Sequence, residues 1–266
     1  MSNLPAKPTS KNGVVLYRGP SEIDGAPIVM IATGLQSNSR NAKTGNIVQT
    51  WIMCDDVAPM VAVNTGDDAS ICGACPHRGK IVDGKNVGRS CYVTLFQAPR
   101  NIWQTYKDGK YPVAKYRTMP DILAGRRVRL GAYGDPAAVP VAVWDHLLQH
   151  VDGVTGYTHQ WRTCDVAISK WCMASADTVA DLEYARNIGY RVFRVRGATD
   201  PLQANEIVCP ASNEYEATGK TKTNCAACML CGGNSKRAGK DVAIIAHGAA
   251  SKVNAFTTRN AFGFIE

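Results

Sequence analysis

Several common segments and motifs are missing from this 266-residue sequence. No window approaches the roughly 18 uninterrupted apolar residues of a membrane-spanning helix. Residues 1–12 are polar and lack the apolar stretch of a secretory signal. The chain also has no G-x-S-x-G nucleophile elbow, no G-x-x-x-x-G-K-[ST] phosphate loop and no dinucleotide-binding fingerprint after a strand. These absences predict a cytoplasmic protein without membrane contact, and they argue against the corresponding hydrolase, nucleotidase and dehydrogenase classes.

Cysteine, in contrast, is abundant, with ten residues in the chain. Without an export signal, these thiols are expected in a reducing compartment, where cysteines bind metal or stay reduced. A disulfide framework is the alternative, and it would require an oxidising compartment.

Four cysteines form one group with the spacing C-x15-C-x2-C-x2-C: Cys209, Cys225, Cys228 and Cys231. In three of these cysteines, each is separated from the next by two residues, and the remote fourth precedes a proline. This spacing matches the ligand pattern of [4Fe–4S] ferredoxins. Small residues between them let the backbone wrap a cluster. A zinc ribbon would usually show two C-x2-C pairs, so iron–sulfur is favoured, with zinc and an unmetallated loop as alternatives.

A second group has only three cysteines, Cys72, Cys75 and Cys91, spaced C-x2-C-x15-C. Three thiolates can hold a [4Fe–4S] cluster and leave one iron open. Alternatively, His77 or Cys54 supplies a fourth ligand, and His77 would give a Cys3His zinc site. We expect iron–sulfur here too, so the chain would bind one or two clusters.

The predicted secondary structure divides the chain into four parts. Residues 1–12 are a disordered lead-in, and residues 13–66 form an antiparallel β segment. Residues 67–250 alternate short apolar runs with helical stretches, which predicts an α/β body with a parallel sheet. We expect a TIM-like parallel barrel, complete or incomplete, followed by a C-terminal tail at residues 251–266. Within the body, a strand is predicted at 169–174 and helices at 92–106 and 137–151.

Polar residues follow the predicted strands at their carboxyl ends, where parallel α/β folds place their functional loops. We predict that Asp135, His159, Arg162 and His247 line a pocket there as acid–base or anion-binding groups. Asp135 could instead cap a helix.

The net charge of +8 and a pI near 9.0 permit contact with a polyanion. Arg126, Arg127, Arg129 and residues 220–222 contribute to this charge, but no motif that reads nucleic-acid sequence accompanies them. We therefore favour a solvated basic surface over a nucleic-acid site.

Several segments resemble uncharacterised proteins encoded by tailed bacteriophages and plasmids. They are residues 72–79, with the sequence Cys-Gly-Ala-Cys-Pro-His-Arg-Gly, and residues 90–92, 129–136, 156–162 and 209–231. The resemblance covers about residues 14–250 and implies a radical-SAM-like α/β barrel that carries iron–sulfur. The chain departs from this pattern in one respect. The C-x3-C-x2-C signature is missing, which argues against S-adenosylmethionine cleavage.

The leading prediction is a cytoplasmic, phage-type iron–sulfur protein. It would perform redox or cluster-assisted chemistry on a small-molecule or nucleotide-like substrate, with a separate electron donor. The alternative is a non-enzymatic zinc protein that binds nucleic acid or a host factor. A third hypothesis is that the clusters only stabilise the fold.

Overall fold

The computed structural model describes residues 8–37, 44–234 and 239–262. The strands are β1 (Gly13–Pro20), β2 (Pro27–Thr33), β3 (Val48–Cys54), β4 (Lys80–Val82), β5 (Lys85–Val87), β6 (Arg127–Tyr133), β7 (Gly153–Thr155), β8 (Tyr157–Thr158), β9 (Met173–Ala176), β10 (Val192–Arg196), β11 (Glu206–Val208) and β12 (Asp241–Ile245). The α-helices are α1 (Pro59–Thr65), α2 (Ala69–Cys72), α3 (Ala98–Lys107), α4 (Met119–Ile122), α5 (Val141–Leu147), α6 (Val179–Asn187), α7 (Asn213–Ala217), α8 (Cys225–Cys228) and α9 (Ala250–Phe262).

The first sheet has the strand order β1-β2-β3-β6-β7 and is mixed. Strands β1, β2 and β3 form an antiparallel meander, whereas β3, β6 and β7 run parallel. Strand β2 is almost continuously apolar and is buried along most of its length, as expected for a central strand covered on both faces. The meander therefore forms one side of the hydrophobic core.

The second sheet has the order β11-β12-β10-β9-β8, and every pair in it is parallel. Helix α6 makes the crossover between β9 and β10, and Thr178 caps it by accepting from the Asp181 N–H at 3.0 Å. A separate hairpin of β4 and β5 stands apart from both sheets.

Gly156 connects the two sheets, because β7 and β8 are successive parts of one chain segment that this residue separates. The Gly156 N–H donates to the Cys231 carbonyl, and the Met173 N–H donates to the Gly156 carbonyl, both at 2.9 Å. A Cβ atom at Gly156 would lie 2.7 Å from Cys172 Sγ. Glycine is therefore required where the chain leaves the first sheet for the second.

The predicted TIM-like barrel is wrong. In the described residues the strands form two five-stranded sheets, and no pairing joins the outer strands β1 and β11. Alternating apolar runs specify parallel neighbours, but closure of a barrel depends on the outer strands. Here the antiparallel strands β1 and β2 occupy that side of β3, which makes the first sheet mixed.

Three local predictions also differ from the structure. The helix expected at 92–106 begins at Ala98, with Pro99 in its first turn. The helix expected at 137–151 is α5, preceded by a 3-10 turn at Pro136–Ala138. The strand expected at 169–174 starts at Met173, because Asp165 caps a 3-10 turn at Val166–Lys170.

The two ends of the chain have different outcomes. Residues 1–7 of the predicted lead-in lie outside the described residues, and the Thr9 and Ser10 N–H groups donate to the Lys110 carbonyl. Residues assigned to a C-terminal tail include most of helix α9. Within the described ranges, no helix has the length and apolar character needed to span a membrane.

Candidate functional site

The C-x2-C loop of the three-cysteine group begins at the last residue of α2, Cys72. Gln160, which follows β8, fixes this loop. Its Nε2 donates to the Cys72 carbonyl at 2.8 Å, and its Oε1 accepts from the Ala74 N–H at 3.1 Å. Gly73, between them, has a positive φ of 50°, and a Cβ there would lie 2.2 Å from Gln160 Oε1. The loop conformation thus requires both Gly73 and Gln160.

Cys91 reaches this loop through backbone pairing. The N–H groups of Ser90 and Cys91 donate to the His77 carbonyl at 3.1 and 2.9 Å. The Arg89 guanidinium donates to the Cys91 carbonyl at 3.0 Å. The segment before α3 is therefore tied to the turn that follows Cys75.

The three thiols are close enough to influence one another's ionisation. Burial raises the pKa of Cys72 well above its ordinary value, and Cys75 and Cys91 raise it further. Burial and then Cys91 also raise the pKa of Cys75, and the His77 N–H partly offsets this rise. Three thiolates at this place would need a compensating cation, such as a metal, to stay deprotonated.

The two candidates for a fourth ligand have other contacts. Cys54 Sγ lies 3.4 Å from the Asp67 carbonyl. Burial raises the pKa of Cys54 to about 12, and the next contributions come from Asp67 and Asp68 rather than from a cysteine. Both ring nitrogens of His77 contact side chains, Nδ1 with Ser90 and Nε2 with Asp177. Each of the two residues therefore has partners outside the three-cysteine group.

The four-cysteine group gathers next to the second sheet. Cys209 directly follows β11, and its N–H donates to the Ala243 carbonyl of β12 at 2.8 Å. Cys225 and Cys228 are the first and last residues of α8, which Asn224 caps by accepting from the Ala227 N–H. The Cys231 carbonyl accepts from Gly156, so the loop is joined to the segment between the two sheets.

These four thiols lie close enough to influence one another's ionisation. Burial raises the pKa of Cys231 to about 12, even though the Tyr157 hydroxyl bonds its sulfur, and Cys209, Cys225 and Cys228 raise it further. Burial also raises the pKa of Cys228, and the Leu230 N–H partly offsets this rise. The His77 N–H acts in the same way on Cys75, and N–H groups near a sulfur favour the thiolate that a metal binds.

Arginine side chains surround the four-cysteine loop. Arg127 donates to the Ala226 carbonyl, and Arg191 donates to the Leu230 and Gly233 carbonyls. Arg129 donates to the Tyr92 hydroxyl at 3.1 Å and lies near Cys225. Tyr92 follows Cys91, so this contact links the two cysteine groups. The positive charge suits an anionic metal–thiolate centre.

The spacing of the sulfur atoms bears on the type of metal centre. In the described residues, no three cysteine sulfurs all lie within 4.8 Å of one another. Four thiolates around zinc at about 2.3 Å would be about 3.8 Å apart. The thiolates of a cubane each bind a different iron and lie farther apart. The arrangement is therefore looser than a preformed tetrahedral zinc site.

A separate cluster without sulfur lies at the carboxyl ends of β8 and β9. His77 Nε2 is 3.0 Å from Asp177 Oδ1, and His159 Nε2 is 3.8 Å from Asp177 Oδ2. Burial lowers the pKa of His159 to about 4, so its ring is neutral near pH 7. Burial opposes ionisation of Asp177, but the hydrogen bond from His77 and the nearby cations outweigh it and leave the Asp177 pKa below its usual value.

The predicted pocket residues separate into different environments. Asp135 is buried, caps the turn at Pro136–Ala138 and accepts from the His159 N–H at 2.8 Å. Arg162 stacks on Trp161 and pairs with Asp181. His247 is exposed, bonds the Ile245 carbonyl and stacks on Tyr92. The structure thus places His159 and Asp135 together, whereas Arg162 and His247 have contacts elsewhere.

Sequence reasoning did not assign Asp177, Ser90 or Arg259 to this place. Asp177 had one signal, its position after an apolar strand. Ser90 lies beside Cys91 in the motif. Arg259 is in α9, where it contacts Ser90 at 2.9 Å and Asp177 at 3.6 Å, and nothing in the sequence pattern distinguished it.

Comparison of the chain with protein-family models, curated proteins and solved structures finds no match in any of the three.

Proposed function

We propose that this protein binds [4Fe–4S] clusters in the cytoplasm and uses them for redox or cluster-assisted chemistry. Cys209, Cys225, Cys228 and Cys231 would hold one cluster. Cys72, Cys75 and Cys91 would hold a second cluster with one iron left open for a small-molecule or nucleotide-like substrate. A cluster supplies one-electron transfer when bound, and an open iron supplies a Lewis acid.

One observation carries the proposal. In two parts of the chain, the thiols of a predicted ligand group lie close enough to raise one another's pKa, and Cys72, Cys75, Cys91, Cys225, Cys228 and Cys231 form no disulfide. The backbone N–H groups of His77 and Leu230 partly offset the rise that burial causes in the pKa of Cys75 and of Cys228. The arginines around Cys225 also suit an anionic cluster.

Supporting evidence for substrate chemistry comes from the surroundings of the three-cysteine group. After burial and Cys91, the residues that raise the Cys75 pKa are Asp135 and Asp177, which follow β6 and β9. The thiols therefore border the carboxyl ends of parallel strands, where α/β folds place their ligands.

The alternative of a nucleic-acid-binding zinc protein receives less support. Arg126 donates to the Gly34 and Leu35 carbonyls at 2.8 and 3.1 Å, and Arg127 bonds Ala226. These cations hold loops of the protein itself, so the basic cluster is not a surface reserved for phosphates.

Cysteine substitutions test the proposal. Protein purified without oxygen should contain about eight irons per chain with both clusters and about four with one. Cys225→Ser and Cys75→Ser should each remove about half of the iron. Cys164→Ser is the matched control, because Cys164 belongs to neither ligand group and its sulfur lies 3.6 Å from the Tyr190 hydroxyl, so iron should stay unchanged. Equal iron in all three variants would contradict the assignment.

A further inference from the structure

The His–Asp–His cluster of His77, His159 and Asp177 contains one potential ligand atom from each of three chain segments. These atoms all lie within 4.8 Å of one another, and no other such group of three occurs in the described ranges of the chain. The two imidazole rings meet edge to face with centroids 5.3 Å apart. Small movements would let two imidazole nitrogens and a carboxylate oxygen reach one ion.

His159 has a nitrogen that lacks a partner. Its Nε2 is buried and forms no hydrogen bond in the described structure, although it faces Asp177. A buried polar atom without a partner destabilises the fold, so its position needs a reason. The His159 backbone is fixed by its bond to Asp135 Oδ2 at 2.8 Å, which holds the ring in this place.

The surroundings of His77 suit a metal ligand. Ser90 Oγ lies 2.8 Å from His77 Nδ1, and the Arg259 guanidinium lies 3.2 Å from the same nitrogen. Once Arg259 moves away or is replaced, Nδ1–H can donate to the hydroxyl and leave Nε2 available for a metal. Ligating histidines commonly donate their second ring N–H in this way, which fixes the tautomer and the ring orientation.

We propose that His77, His159 and Asp177 bind a divalent transition-metal ion, separate from the cysteine groups. Two imidazoles and one carboxylate form a donor set that holds Fe²⁺, Mn²⁺, Co²⁺ or Zn²⁺ and leaves positions open for water or substrate. The site contains no thiolate, so it stands whether or not the cysteines carry iron–sulfur.

Arg259 opposes the metal and thereby provides a test. Its guanidinium lies 3.6 Å from Asp177 Oδ2 and 3.2 Å from His77 Nδ1. It therefore occupies the position of a cation beside the carboxylate. Removing this charge in Arg259→Gln should tighten metal binding about tenfold, because two cations a few ångströms apart repel even at high effective dielectric. A purely structural role for the cluster predicts no such gain.

The experiment adds Mn²⁺ to the anaerobically purified full chain with its native metals in place. Mn²⁺ prefers oxygen and nitrogen ligands to thiolates, so the cysteine groups do not compete for it. We expect one Mn²⁺ bound per chain by loss of the free-ion EPR signal. Pulsed EPR should show coupling to imidazole ¹⁴N. Absence of ¹⁴N coupling in the unaltered protein would overturn the proposal, and this readout requires no variant to fold.

Variants then locate the ion. Asp177→Asn and His159→Gln should each weaken Mn²⁺ binding at least tenfold. Even removal of a residue that only hydrogen-bonds a metal ligand lowers metal affinity by about that factor. His150→Gln, at an exposed histidine on another surface, should bind as the unaltered protein does. Unchanged binding in Asp177→Asn, or weaker binding in Arg259→Gln, would refute the site. Absence of iron would contradict the proposed function and leave this readout intact.

Discussion

Replacement of Gln160 by leucine is expected to loosen the three-cysteine loop. The Gln160 side chain makes two hydrogen bonds to this loop, to the Cys72 carbonyl and from the Ala74 N–H. Leucine fills a similar volume and makes neither bond. Gln160 is only 5% exposed, so a leucine of similar volume keeps its packing. The substitution therefore isolates the contribution of the two hydrogen bonds.

The magnitude follows from the two hydrogen bonds that are lost. The Cys72 carbonyl would lose its Gln160 donor but keep its bond from the Cys75 N–H at 3.0 Å, so the loss is about 0.5–1.5 kcal/mol. Ala74 is exposed, so water can replace its bond at a loss of about 0.5–1.5 kcal/mol. The free energy of unfolding should fall by about 1–3 kcal/mol in total.

Urea unfolding followed by tryptophan fluorescence measures this loss of stability. Iron analysis measures the effect of the substitution on the three-cysteine group. Gln104→Leu is the matched control. Gln104 is exposed on α3 and bonds only Asp108 at 2.9 Å, so this variant should lie within about 0.5 kcal/mol of the unaltered protein. We also expect Gln160→Leu to lose about half of its iron. If both variants have the same stability and iron content, Gln160 does not hold the loop.

Two further predictions concern the fold. Gly156→Ala should lower the free energy of unfolding by about 1–3 kcal/mol, because the added methyl meets Cys172 Sγ at 2.7 Å, whereas Gly239→Ala has open space and should be neutral by thermal unfolding. Burial opposes ionisation of Glu206, but hydrogen bonds from Arg194 outweigh it and leave the Glu206 pKa below its usual value. The ionised Glu206 therefore contributes stability above about pH 4.3, and this contribution is lost as the pH falls through the folded-state pKa. Glu206→Gln should lower the free energy of unfolding by about 3–5 kcal/mol at pH 7, because it leaves Arg194 buried without its partner. It should also flatten the acid limb of the stability–pH curve, whereas the exposed control Glu216→Gln should not. An unchanged acid limb would contradict this assignment.

Part of the fold could be read from the sequence. Strand β2 consists of branched apolar residues between turns, a pattern that predicts a strand with the observed bounds. Thr178 as a cap and Gly189 as a stop predict helix α6 to within one residue of its observed ends. The pairing of the outer strands could not be read, because it depends on contacts between segments far apart in the chain. The barrel prediction failed for this reason.

The candidate site was readable to a similar extent. The spacing of the cysteines predicts two groups of ligands, and in the described residues no three cysteine sulfurs all lie within 4.8 Å of one another. The capping role that the sequence allows for Asp135 is the local bond from the Ala137 N–H. Its burial and the bond from the His159 N–H were not predictable, since they arise only when the segments after β6 and β8 meet. Arg259 had no signal at all, because only the packing of α9 brings it to Asp177.

The central claim concerns the metal that the cysteines bind. The most direct measurement is the Mössbauer spectrum of ⁵⁷Fe-labelled protein purified without oxygen, together with its iron, sulfide and zinc content. We predict a [4Fe–4S] doublet, broad absorbance near 400 nm and equal amounts of iron and sulfide. Colourless protein with stoichiometric zinc and no sulfide would contradict it.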